Sequence, residues 1–282
     1  MPILPTTSPR SSFHSDSQHK RRRSTYWSAS IPLFLRRLFR FPQMDFEFAL
    51  WQMLYLCIAP RRVYRNIYYH KRKNVKIIQE SDLIYFIKIF DFKLLETKNQ
   101  WARDDPAFVV ILSFFLGVSA IAWGLVYGHG LIGILKMSLF MVFVDFVVVG
   151  MIISTICWVF ANRFLTHRHT IHAVEQTVEW AYAFDVHCNS FFPLFLILYV
   201  AQFFLMRVLI KDIWICLFLG NTMYLIAIGY YCYITFLGYN ALPFLLHTEM
   251  FLYPVALFLI VYVISLFGFH ISANVLQLYF GR

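Results

Sequence analysis

Four chemically versatile residues fall close together in EWAYAFDVHCNSFFP (179–193): Glu179, Asp185, His187 and Cys188. An acid, a base and a soft nucleophile are the parts of a covalent mechanism, provided that nucleophile and base come within hydrogen-bond reach. The spacing argues against a local site. Asp185 and His187 are two apart, so on a helix they diverge by about 200°. Cys188 is adjacent to His187 rather than facing it. An Asp at the start of an apolar run can instead cap free N–H groups and gain from the helix dipole. Trp180 and Tyr182 suit a membrane interface. The stretch therefore reads as a polar lip in which Asp185 caps the next apolar segment and His187 offers a docking group.

Asp145 is the second candidate. It lies in the apolar run FMVFVDFVVVGM. A carboxylate at such depth is costly unless it is paired or protonated. It could relay protons or ions in a transporter or an intramembrane enzyme, or it could hold helices together. The other deep polar groups, Gln202 and Asn221, do not titrate, which favours packing for all three. Gly150 and Ser154 on the same segment permit close helix approach.

His167, His169 and His172 form HRHTIH and could gather a metal with Glu175 or Asp185. Their spacing does not place them on one helix face and is not H-E-x-x-H, so a basic loop is expected and no metal or cofactor is assigned. The five cysteines, Cys57, Cys157, Cys188, Cys216 and Cys232, contain no C-x-x-C pair and suggest no disulfide framework.

These residues need a scaffold, and the composition says which kind. The chain has 282 residues, 60% hydrophobic and 14% charged, with 31 Phe. Soluble domains carry about 25% charged residues. Apolar runs of roughly 20 residues recur, each long enough to cross a hydrocarbon core about 30 Å thick. Lipid offers backbone groups no partner, so such spans are helical. The expected fold is all-α: a polytopic bundle of about five spans, near 107–127, 137–160, 189–207, 213–237 and 249–269.

Charge is concentrated before the first span. Residues 1–105 hold 19 of the 25 Lys and Arg and 9 of the 15 Asp and Glu. This places the N-terminus in the cytosol and, after five crossings, the C-terminus in the lumen. Three regions follow. Residues 1–30, Ser-rich and basic, form a tail expected to be disordered and not a signal peptide. Residues 31–105 form a basic head on the membrane surface. Residues 106–282 form the membrane domain.

Within the head, IPLFLRRLFRF (31–41) places Arg36, Arg37 and Arg40 opposite an apolar face, as in a helix lying flat on a membrane. MDFEFALWQMLYLCIA (44–59) is apolar but too short to span, and is expected to be interfacial or re-entrant. RRVYRNIYYHKRK (61–73) interleaves arginines and tyrosines. Arg61, Arg62 and Arg65 suit an anionic cytosolic leaflet. The same mixture could stack on single-stranded RNA. In QWARDDPAF (100–108), Asp104 and Asp105 precede Pro106 and are expected to cap the first span.

Taken together, FRFPQMDFEFALWQMLYL (39–56), APRRVYRN (59–66), QWARDDPAF (100–108), EWAYAFDVHCNSFFP (179–193) and GYYCYITFLGYNALPFL (229–245) resemble the unc-fifty family of five-span Golgi membrane proteins. The resemblance runs from about Leu35 to the C-terminus. It implies a non-enzymatic role in vesicular traffic, with assembly and cell-surface delivery of receptors of the nicotinic acetylcholine type. It also implies association with an Arf guanine-nucleotide exchange factor, and an RNA-binding role at the inner nuclear membrane has been proposed for some members. It carries no catalytic residues. Its motif positions here are Arg103, Asp104, Asp105, Asp185 and His187, which have no assigned chemistry. The sequence departs from the family pattern by about two dozen extra residues near 72–96.

Overall fold

The computed structural model describes residues 44–65, 103, 105–166, 176–211 and 213–280. Five of its helices are long and apolar enough to cross a membrane. They are α2 (Ala107–Val126), α3 (Leu131–Leu165), α4 (Trp180–Leu209), α5 (Trp214–Asn240) and α6 (Thr248–Ser265). A shorter helix precedes them, α1 (Phe46–Ile58), and another follows, α7 (Ile271–Phe280). Among the described residues there is no strand, only a single antiparallel bridge between Thr166 and Leu245.

The apolar runs predict the spans; α5 ends three residues later than expected and α6 four residues earlier, and α3 and α4 depart most. α3 starts six residues earlier than expected and ends five later. At 1.5 Å per residue its 35 residues reach about 50 Å, so it must tilt or project beyond a hydrocarbon core of about 30 Å. Its course is uneven: Phe140–Val148 and Ala161–Leu165 are wound in wide π turns. α4 starts at Trp180, nine residues earlier than expected, so the polar stretch is inside the helix and not before it. Within α4, Pro193 lacks the N–H that a helix interior needs. A wide π segment, Leu196–Ala201, follows within a turn.

α1 has only 13 residues and packs inward through Ala49, Gln52, Met53 and Leu56. Its outward face is also apolar, with Phe46, Phe48, Leu50, Trp51, Leu54 and Ile58 exposed. Tyr230 of α5 donates its hydroxyl to the Leu56 and Cys57 carbonyls at 3.1 and 2.9 Å, satisfying acceptors that the helix end leaves open. Residues 60–65 are helical again. The largest core joins α1, α2, α4 and α5 around Leu56, Phe108, Leu112, Phe192 and Ile234.

A second core lies where the α3–α4 and α5–α6 connections meet, with Leu165, Val178, Tyr182, Tyr239 and Phe251. The first of these connections is closed by one amide. Asn162 donates to the Val178 carbonyl at 3.0 Å and accepts the Val178 N–H at 2.8 Å.

α7 was not foreseen in the sequence. After Gly268, whose φ of +133° favours glycine, the chain folds back onto the bundle. Asn221 of α5 fixes the turn: its Nδ2 donates to Ser265 Oγ and to the Phe269 carbonyl, and its Oδ1 accepts the Ile271 N–H, all at 2.9 Å. Gly220 makes room for the contact, since a Cβ there would lie 2.3 Å from Ser272 Oγ. At the far end, Phe280 stacks on Trp123 with ring centroids 4.4 Å apart.

Candidate functional site

The motif on α4 is a structural hub. A helix repeats every 3.6 residues, so side chains four apart form rows. Three such rows lie side by side here, and each faces a different neighbour.

The first row, Asp185 and Asn189, faces the head. Arg103 donates to Asn189 Oδ1 at 2.7 Å, and the same nitrogen lies 3.4 Å from Asp185 Oδ1. The guanidinium carbon sits 4.5 Å from the centre of the Phe108 ring, a cation–π arrangement. Arg103 and Asp185 are largely shielded, with side chains 15% and 17% exposed. Asn189 also donates to the Tyr64 hydroxyl at 3.3 Å. Burial pushes the Tyr64 phenol well above its ordinary pKa, so it remains a protonated partner. Arginine, aspartate, asparagine and tyrosine thus join the head to α4 in one network.

The second row, Ala183, His187 and Phe191, faces α3. His187 is 2% exposed. Its Nε2 is 3.2 Å from the Phe146 carbonyl, and its Nδ1 is 2.7 Å from the Tyr231 hydroxyl. A carbonyl can only accept, so Nε2 carries the proton and Nδ1 accepts from Tyr231. The neutral ring satisfies both bonds. Gly150 is what lets it fit, because a Cβ there would lie 2.4 Å from Nε2. Ser154, one turn on, donates to the Ala183 carbonyl at 3.3 Å.

The third row, Tyr182, Val186 and Ser190, faces α5. Tyr182 donates to the Gly238 carbonyl at 2.7 Å. Ser190 meets the Thr235 hydroxyl at 3.0 Å.

These contacts revise the reading of a polar lip. Asp185 lies in the second turn of α4 and caps nothing; Glu179 is the N-cap residue. Its carboxylate is turned to Arg103 instead. His187 does not face a loop but is enclosed by α3 and α5. Cys188 is buried beside it at 1% exposure.

Asp105 does sit at a helix start. It accepts the Ala107 N–H of α2 at 3.1 Å and the Asp45 N–H ahead of α1 at 2.9 Å. One carboxylate therefore ties the beginnings of two helices together. Asp104 lies outside the described residues, as do Arg36, Arg37 and Arg40, the segment near 72–96, and His167, His169, His172 and Glu175. Among the described residues no group of three His, Cys, Asp or Glu side chains is arranged to hold a metal ion.

Arg61 donates through Nε to the Tyr233 hydroxyl at 2.8 Å, while Arg62 and Arg65 are exposed. The deep polar residues each join helices. Asp145 accepts the hydroxyls of Tyr199 on α4, at 3.1 Å, and of Tyr279 on α7. Gln202 and Tyr224 pair α4 with α5 at 3.3 Å. Asn221 makes the three bonds at the α7 turn.

Tyr64, Asn189, Tyr199, Tyr231 and Tyr279 escaped the reading of the sequence. The i, i+4 relation of Asp185 and Asn189 is the one local signal that could have exposed part of this set.

The fold and its hub define an all-helical, multi-pass membrane protein whose N-terminal element is bound to the bundle by a largely buried ionic network. The chain belongs to the UNC-50 family: the family model matches residues 34–280. It is 45% identical over 253 residues to a protein unc-50 homolog of Dictyostelium discoideum, covering 89% of this chain and 88% of that one. Against the protein unc-50 homolog of Mus musculus the identity is 46% over 267 residues, covering 94% and 93%. Against that of Homo sapiens it is 47% over 234 residues, covering 83% and 80%. No solved structure matches.

Proposed function

We propose that this protein is a non-enzymatic membrane adaptor of the Golgi, supporting vesicular traffic and the assembly and surface delivery of receptors of the nicotinic acetylcholine type. The observation that carries this reading is the hub. Motif residues Arg103, Asp185 and His187 are used up in joining the head to α4 and α4 to α3 and α5. Such a core presents surfaces rather than a reaction centre. On this reading the basic head faces the cytosol, where it meets anionic lipid and an Arf guanine-nucleotide exchange factor. The spans contact client receptor subunits, and the C-terminus lies in the lumen.

Two rival readings gain less support. A transporter built on Asp145 needs further titratable groups around a hydrated path, whereas this carboxylate is taken up by two tyrosine hydroxyls. RNA binding through 61–73 needs exposed tyrosines between the arginines, whereas Tyr64 is buried at 5% exposure.

The test is delivery of the receptor to the surface of cells lacking the endogenous protein. These cells receive either the full chain or a chain lacking residues 1–43, with proximity labelling from each. The full chain should restore delivery and label receptor subunits and an exchange factor, and the shortened chain should lose the exchange factor. A full chain that is abundant at the Golgi yet restores no delivery would refute the proposal.

A further inference from the structure

α2 and α4 meet at two places and part between them. At one end Phe108 touches Phe192 edge-on, with centroids 6.3 Å apart. Toward the other, Trp123 donates to the Tyr199 carbonyl at 3.0 Å and meets the Phe203 ring at 5.1 Å. Between these contacts lies a groove of about 320 Å³. Its floor on α2 is made of small side chains, Ser119 and Ala122, and its walls are aromatic: Phe115, Phe195, Tyr199 and Phe203.

Small residues on α2 and the wide π segment of α4 together account for the gap. In the π segment, Leu196–Ala201, no residue is buried. The groove opens sideways, past rim residues Val118 and Phe204, which are 50% and 77% exposed. Both walls belong to helices that cross the membrane, so the phase at the opening is hydrocarbon.

Physical chemistry narrows the occupant. Water in a cavity needs two to four polar partners, and these walls are almost wholly apolar. A further helix, about 10–12 Å across with its side chains, is too wide for this volume. An unfilled groove would forfeit dispersion contacts along every wall. We infer that the groove is a binding site for one acyl chain of a bilayer lipid, held more firmly than the lipid around the rest of the bundle. The chain lies along Ala122 and Ser119 and ends against Phe203. It also packs on the Tyr199 ring, whose hydroxyl reaches Asp145.

The experiment is native mass spectrometry of the full-length protein purified in mild detergent from a phosphatidylcholine-containing membrane. The wild type should retain one phospholipid after the shell of loosely bound lipid is stripped. Ala122→Phe fills the floor and should lower that occupancy about ten-fold, the equivalent of about 1.4 kcal/mol. Ile152→Phe adds similar bulk on the exposed face of α3 and should leave it unchanged. Phe204→Ala removes an exposed part of the rim without touching the core and should lower occupancy in part, which keeps the test informative if Ala122→Phe misfolds. Absence of retained lipid in the wild type would overturn the inference. So would equal loss in Ala122→Phe and Ile152→Phe, which would show a general lipid shell.

Discussion

Arg103 has its guanidinium against an aromatic ring on one side and against Asp185 and Asn189 on the other. Deleting it should strand a shielded carboxylate. Breaking a buried pair from one side costs about 3–5 kcal/mol, whereas removing both charges often costs little. Arg103→Ala should therefore sharply lower the melting temperature and abundance of the detergent-solubilised protein. The double variant Arg103→Leu with Asp185→Leu should recover much of that loss. If the double variant is as unstable as the single, the pair is not what joins the head to α4. His187 offers a second residue-scale test. Gly150→Ala would drive a methyl group into the ring, and overpacking costs about 1–3 kcal/mol. Adding His187→Ala should relieve the clash and raise the melting temperature of Gly150→Ala. Neither partnership is visible locally in the sequence. Eighty-six residues separate Arg103 from Asn189, and Gly150 with His187 reads as an ordinary small residue and an ordinary polar one.

Helices of this bundle are joined by single polar groups placed where two or three elements meet. Asp145 receives two hydroxyls on one oxygen, and an amide oxygen can accept both as well. Asp145→Asn should thus keep normal abundance, while Asp145→Leu should lower it by leaving Tyr199 and Tyr279 without their acceptor. A loss of activity in a normally abundant Asn variant would point to proton chemistry instead. Asn221 anchors α7 through three bonds. Interhelical hydrogen bonds in membranes average about 0.6 kcal/mol each. Asn221→Leu should therefore speed hydrogen exchange across residues 271–280 by roughly twenty-fold, and leave α2 unchanged. At this scale the sequence was legible in its apolar lengths and illegible at their polar ends. α4 was expected to begin near 189 because Glu179, Asp185, His187 and Asn189 interrupt the apolar residues of EWAYAFDVHCN. It begins at Trp180 because three neighbouring elements supply those polar groups with partners inside the protein. α7 was missed because ten residues cannot span, and its contacts with Asn221, Asp145 and Trp123, not its length, hold it on the bundle.

At the scale of the whole molecule, five crossings by the five described helices that are long and apolar enough would put the termini on opposite sides of the membrane, as the proposed function has them. On the proposed location and orientation, an N-terminal epitope should be protease-accessible in sealed Golgi vesicles of native orientation, and a C-terminal epitope should be protected. Equal accessibility of both would mean an even number of crossings. The five-span class and the basic head are written in bulk properties, charge asymmetry and apolar length, which survive without knowledge of contacts. The hub is not, since it depends on which side chains meet. One of those meetings bears on how the chain tolerates change. The amide of Asn189 holds Tyr64 through its nitrogen and Arg103 through its oxygen, so the two ends of the intervening segment are pinned at one point. The entropic cost of closing such a loop grows only logarithmically, by about 0.6 kcal/mol for each doubling of its length. The resemblance sets some two dozen residues near 72–96 apart from the family pattern, and on this cost a length change of that size between Tyr64 and Arg103 leaves the bundle's stability nearly unaltered. Excision of 72–96 should shift the melting temperature very little, making this segment the natural place to graft a reporter domain.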